Sequence, residues 1–283
     1  MEKMQKLQKR KKVLLIVFLI YLLCYGLRFL EYFVLRTDQT WFGEAIIHKL
    51  IGIVILFVVA RLLQFTMKEI GFSKENSLRN LLKGLAFGIG VFFVAYAVEV
   101  LIAVSQGSFD SLQIYVSSYA IDENVGHRTE ALFFLICIVG NIVNVIMEEG
   151  VFRGLFEKIL EQKYSFVVSA IITSVLFGFW HVIGPVRNYY DGTSSMEGMI
   201  ANVIMLLITS ALVGFKFAML TKMTGNHYMA MGDHFVNNTI VNLLHVVSDT
   251  GTDEMMVVRV SIAQSVSFVL VLIRYIQLCH KKV

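Results

Sequence analysis

The sequence predicts an all-α fold: a polytopic bundle of about eight transmembrane helices with N- and C-termini cytoplasmic. Three observations predict it. The 283 residues are 57% hydrophobic and only 16% charged, with a mean hydropathy of +0.69, whereas a soluble domain carries roughly 25% charged residues. Eight stretches approach the ~20 mostly apolar residues that a membrane span needs. Under strict alternation eighteen Lys and Arg fall on the inner side and four on the outer, namely Arg36, Arg128, Arg187 and Arg259. That asymmetry is the one expected for cytoplasmic loops, and residues 1–283 read as a single transmembrane domain.

Residues 1–12 carry six basic side chains and read as a cytoplasmic N-terminus before a retained anchor. The apolar run after them is too long for a signal peptide and lacks a small-residue cleavage site. The spans are 13–35, 45–66, 81–104, 131–157, 164–184, 198–220, 225–247 and 255–278. All are expected to be helical, because an open strand in lipid leaves backbone groups unpaired. Arg28, Lys49 and Arg61 fall inside spans, and Arg28 is spaced to pair with Glu31 at i,i+3. Residues 68–80 form a polar connector in which Ser77 is the expected cap of the third helix. The loop 105–127 is acidic, with Asp110, Asp122 and Glu123. Cys24, Cys137 and Cys279 have no CxxC spacing, so neither a disulfide framework nor a thiolate metal site is indicated. The net charge of +4 follows topology and gives no reason to expect nucleic-acid binding; the chain's partners are the lipid bilayer and a substrate within it.

Residues 131–247 contain the groups fit for chemistry. Ionised groups at membrane depth cost at least ~2.5–3.5 kcal/mol each and persist mainly where they pair, line a wet cavity or react. Glu149 and Arg153 are four apart and share a helix face. Glu148 points about 100° away, in line with Asn144 and Asn141, and has no partner in its own helix. One acid is thus neutralised while the other is placed to act as a base. The fifth span ends Phe177-Gly178-Phe179-Trp180-His181, where His181 and Trp180 also suit an interfacial role. In the seventh, His234, Asn238 and Asn242 form one stripe, suited to metal ligation, to oxyanion binding or to interhelical hydrogen bonds. Asp233 either orients a neighbour or faces another helix. His48, His127, His227, His245 and His280 lack companions at useful spacing.

The order EExxxR, FxxxH, HxxxN from Glu148 to Asn238 resembles the CPBP family (Abi or CAAX-protease-like), intramembrane endopeptidases that include the prenyl-protein-processing proteases. The resemblance implies an eight-helix bundle and hydrolysis of a peptide bond in a membrane-associated peptide or protein. It implies Glu148 as general base, Glu149 with Arg153 as an ordering pair, His181 as a helper in activating water, and His234 with Asn238 as water or oxyanion ligands. All six positions are filled. The metal-free version commits no cofactor; the alternative places one divalent metal ion such as zinc at Glu148, His181, His234 and Asn238. From another class, a non-catalytic immunity or partner-binding protein of the same fold uses the same residues. A small transporter with a proton-relay carboxylate is disfavoured by the absence of repeats and by a single proline, Pro185. One geometric difficulty arises from depth. Measured from a turn near Gln162 at ~1.5 Å per residue, Glu148 lies ~21 Å and His181 ~28 Å away, an offset that a kink or tilt must close.

Overall fold

The computed structural model describes residues 2–41, 43–117 and 127–281, with side chains from residue 11 onward. Asp122 and Glu123 of the acidic loop lie outside the described residues, as does Lys282. Each of the eight apolar stretches is helical over most of its length. In chain order the elements are α1 (Glu2–Leu30), α2 (Ile47–Leu62), α3 (Ser77–Gln106), β1 (Phe109–Ile114), α4 (Ala131–Glu148), α5 (Glu157–Glu161), α6 (Phe166–His181), α7 (Ile183–Tyr190), α8 (Met196–Thr224), α9 (Tyr228–Leu243), β2 (Leu244–Ser248) and α10 (Met256–His280). A π-helical turn, Glu31–Leu35, follows α1, and a π-helical segment, Glu149–Phe156, joins α4 to α5.

Among the described residues, six helical stretches are long and apolar enough to cross a membrane: Lys11–Gln39, Ser77–Gln106, Ala131–Glu161, Phe166–Tyr190, Met196–Thr224 and Met256–His280. The other two expected spans are shorter than the sequence suggested. α2 and α9 have 16 residues each, hence ~24 Å at 1.5 Å per residue, against a hydrocarbon core of ~30 Å. The seventh stretch also changes character before its expected end, because residues 244–248 leave the helix as β2. Nor does Ser77 cap α3. It is the first helical residue, and Asn76 holds the cap position in the left-handed region with φ +53° and no side-chain cap bond.

The chain divides into two compact units. Unit 1 comprises Met1–Glu75 and Val143–His227. Its core gathers Val17 and Tyr21 of α1, Leu56 of α2, Met147, and Phe152, Phe156, Phe177 and Trp180. The π-helical segment packs closely here. A Cβ on Gly150 would lie 2.4 Å from Leu56, and one on Gly154 would lie 2.8 Å from the Ile70 carbonyl oxygen. His227 closes the unit, its Nε2 2.5 Å from that same carbonyl oxygen.

Unit 2 comprises Asn76–Ile142 and Tyr228–Val283. Its core is Val91, Phe92, Ala95 and Tyr96 of α3 with Val236 and Val241 of α9 and Ala263 of α10. α3 and α9 meet backbone to backbone. A Cβ on Gly84 would lie 2.1 Å from the Met229 carbonyl oxygen, and one on Gly232 would lie 2.6 Å from that of Leu81. Small residues four apart, Gly84 and Gly88, permit this approach in a setting where packing rather than the hydrophobic effect drives association. β1 and β2 pair antiparallel, with Leu112 opposite Val246. Beside the sheet, Arg259 donates to Glu99 at 2.6 Å and to Asp253 at 2.6 Å, and Asp253 accepts from His245 at 3.1 Å. The His245 ring stacks on Tyr115 at 3.8 Å. Its companions come from distant positions, which spacing did not reveal.

Candidate active site

In unit 1 the two adjacent acids, Glu148 at the end of α4 and Glu149 at the start of the π-helical segment, have different partners. Glu149 is fully buried, and its Oε1 lies 3.3 Å from Nη1 of Arg153. The expected i,i+4 pair therefore forms even though the segment is π-helical, where backbone bonds run i→i+5 and the 100° step no longer holds. Arg153 is 4.1 Å from the Phe177 ring centroid and 5.4 Å from that of Phe217. α8 accommodates it at Gly214, where a Cβ would sit 3.0 Å from Arg153 Nη2. A guanidinium against aromatic faces loses less on desolvation than one against aliphatic carbon.

Glu148, isolated within its own helix, gains partners from elsewhere in the chain. Trp180 Nε1 donates to Glu148 Oε1 at 2.9 Å, and Arg28 Nη1 of α1 lies 3.7 Å from the same oxygen. Lys49 of α2 is within Coulombic range of it. Arg28 therefore does not make the i,i+3 pair with Glu31 that the spacing suggested. Glu31 instead accepts from the His48 backbone N–H at 2.5 Å and meets the His48 ring Nδ1 at 2.7 Å. Trp180 is likewise not an interfacial residue. It is 1% exposed and enclosed by Tyr21, Tyr25, Phe152 and His48. The depth offset between Glu148 and the end of α6 is crossed by this indole, one residue before His181.

His181 is half-buried, and its Nδ1 lies 2.8 Å from the Phe177 carbonyl oxygen. A carbonyl only accepts, so Nδ1 carries a proton, and in the neutral ring Nε2 is the acceptor nitrogen. Within unit 1, no three His, Cys, Asp or Glu side chains among the described residues gather in metal-ligating geometry. The surroundings of Glu148 do not suit a divalent ion either, because Arg28 and Lys49 already supply positive charge there.

In unit 2, His234 and Asn238 are both buried on α9, four residues apart in regular helix. Asn238 Oδ1 accepts from Asn237 Nδ2 at 2.9 Å, and Asn237 Oδ1 accepts from Gln264 of α10 at 2.6 Å. Asn242 donates to Cys137 Sγ at 3.8 Å, as Asn141 does at 3.5 Å. Asp233 is buried facing α3, where a Cβ on Gly88 would lie 3.2 Å from its Oδ1.

Residues 130–240, which contain all six motif positions, match the family model described as Type II CAAX prenyl endopeptidase Rce1-like. Over that segment the chain is similar to the CAAX-protease-like family. Over 221 residues it is 28% identical to the protein named "Putative membrane peptidase YdiL" of Bacillus subtilis (strain 168), covering 74% of this chain and 76% of that one. These likenesses, with six helices among the described residues that are long and apolar enough to cross a membrane, support a multi-pass membrane protein. Trp180 was open to discovery only through structure, since an aromatic residue at a helix end is ordinary in membrane proteins. Arg28 did carry a signal: a charge inside an apolar span needs a partner.

Proposed function

We propose that this protein is an intramembrane endopeptidase that cleaves a membrane-associated peptide or protein near its terminus. Its eight helical segments form one transmembrane domain in a bacterial plasma membrane, with both termini cytoplasmic. The observation that carries the reading is the division between two adjacent buried acids, one paired with Arg153 and the other bonded to Trp180 beside Arg28. Glu148 takes a proton from water, whose oxygen attacks the scissile carbonyl carbon. The His181 Nε2 helps to orient that water. The tetrahedral oxyanion is stabilised by His234 and Asn238, which enter on the order of the motif. Glu148 then passes its proton to the leaving nitrogen as the C–N bond breaks. General-base catalysis of this kind contributes typically 10²–10⁴-fold, and one oxyanion donor about 10²–10³-fold. No step runs through a metal.

The test uses purified protein and an internally quenched peptide with a prenylated cysteine before its last three residues, the C-a-a-X arrangement. Glu148→Gln and His234→Ala each lower turnover at least ~10²-fold, measured on protein shown to be expressed and helical. Full activity in both variants would refute the peptidase reading. Exhaustive chelation leaves wild-type turnover intact; loss on chelation and recovery with zinc would replace the metal-free mechanism.

A further inference from the structure

We infer that Arg28 and Trp180 are positioning residues that keep the Glu148 carboxylate ionised and aimed, so that α1, outside the matched segment 130–240, is part of the catalytic apparatus. The inference rests on the peptidase reading for its catalytic meaning and on geometry for its substance. A carboxylate enclosed by protein remains charged only if donors and cations replace water. Trp180 supplies a donor held at 2.9 Å by an indole that is buried on all sides. An N–H bond to an ionised oxygen is roughly twice as strong as a neutral one.

Arg28 supplies charge at 3.7 Å, beyond hydrogen-bond length. It stabilises the ionised form without tying up a lone pair, which leaves lone pairs open to a water proton. The guanidinium is itself fixed, lying 4.5 Å from the Trp180 ring centroid and 5.1 Å from that of Tyr32. Arg28 and Trp180 thus hold each other, and both act on the same oxygen, Oε1. Lysine lacks the planar face for such stacking, so Arg28→Lys keeps the charge and loses the hold.

The sequence has only two tryptophans, Trp41 and Trp180, so indole ¹⁵N–¹H NMR in detergent resolves each, with Trp41→Phe giving the assignment. Glu148→Gln and Arg28→Ala each shift the Trp180 resonance, while that of Trp41 stays in place and reports an intact fold. On the prenylated quenched peptide, Trp180→Phe and Arg28→Ala lower kcat about tenfold or more with KM within about twofold, and Arg28→Lys recovers part of the loss that Arg28→Gln does not. A Trp180 resonance indifferent to both Glu148→Gln and Arg28→Ala overturns the inference. So does a rise in KM with kcat unchanged. If Glu148→Gln keeps full turnover while the resonance shifts, the peptidase reading fails and the contact survives, so the two failures are distinguishable.

Discussion

In unit 1 the buried acids Glu148 and Glu149 are held by cations set on aromatic rings. In unit 2 the polar stripe of α9 is held by neutral amides, along a helix that touches α3 backbone to backbone. The difference is one of consequence. Removing one partner of a buried ion pair costs ~3–5 kcal/mol, because the other charge is left uncompensated. A neutral hydrogen bond contributes a net ~0.5–1.5 kcal/mol. Unit 1 therefore has more at stake in each contact, since each buried acid depends on a cation beside it. In unit 2 the contacts are neutral, and their placement depends on how closely α3 and α9 approach. The buried charges of unit 2 (Glu99, Arg259 and Asp253) lie beside β2 and anchor the sheet.

The largest effect that tests this contrast is Arg153→Leu. It strands Glu149 and is expected to cost ~3–5 kcal/mol by thermal unfolding in detergent, with part recovered when Glu149→Gln is added. A double variant no more stable than the single would place the cost elsewhere. Next is Gly84→Ala in unit 2, which pushes a methyl into the Met229 carbonyl and should cost ~1–3 kcal/mol. Gly90→Ala, where a Cβ meets nothing within 4 Å, is the control; equal losses would show that glycine content and not close approach matters.

The smallest effect is acid sensitivity. Burial opposes the charge on Asp253, but hydrogen bonds from His245 and Arg259 prevail and lower its pKa. Its contribution is present above the unfolded value of ~3.9 and is lost as the pH falls through the lowered folded value. Asp253→Asn should flatten the wild-type loss of stability below about pH 4; an unchanged acid limb would remove Asp253 from the account.

Legibility in the sequence followed the range of the physics involved. The apolar stretches announce helices because lipid forces each backbone group to pair within its own segment, and all eight stretches are helical over most of their length. The Glu149–Arg153 pair was legible for the same reason, being local to one turn. The π-helical segment was not, since a 3.6-residue period carries no mark of an i→i+5 stretch. Neither was β2, whose Leu244-His-Val-Val-Ser248 reads equally as the end of a polar helix until β1, 130 positions earlier, is there to pair with it.

By itself, then, the sequence determined that the chain resides in the membrane, that it is helical, and that six polar residues stand in an order shared with a protease family. Each follows from composition or from spacings within one helix. Only the tertiary structure decided that Glu148 has partners. Arg28 lies 120 positions before it and Trp180 32 after. A contact over such a separation is set by which helices pack together, and residue spacing along the chain does not encode it.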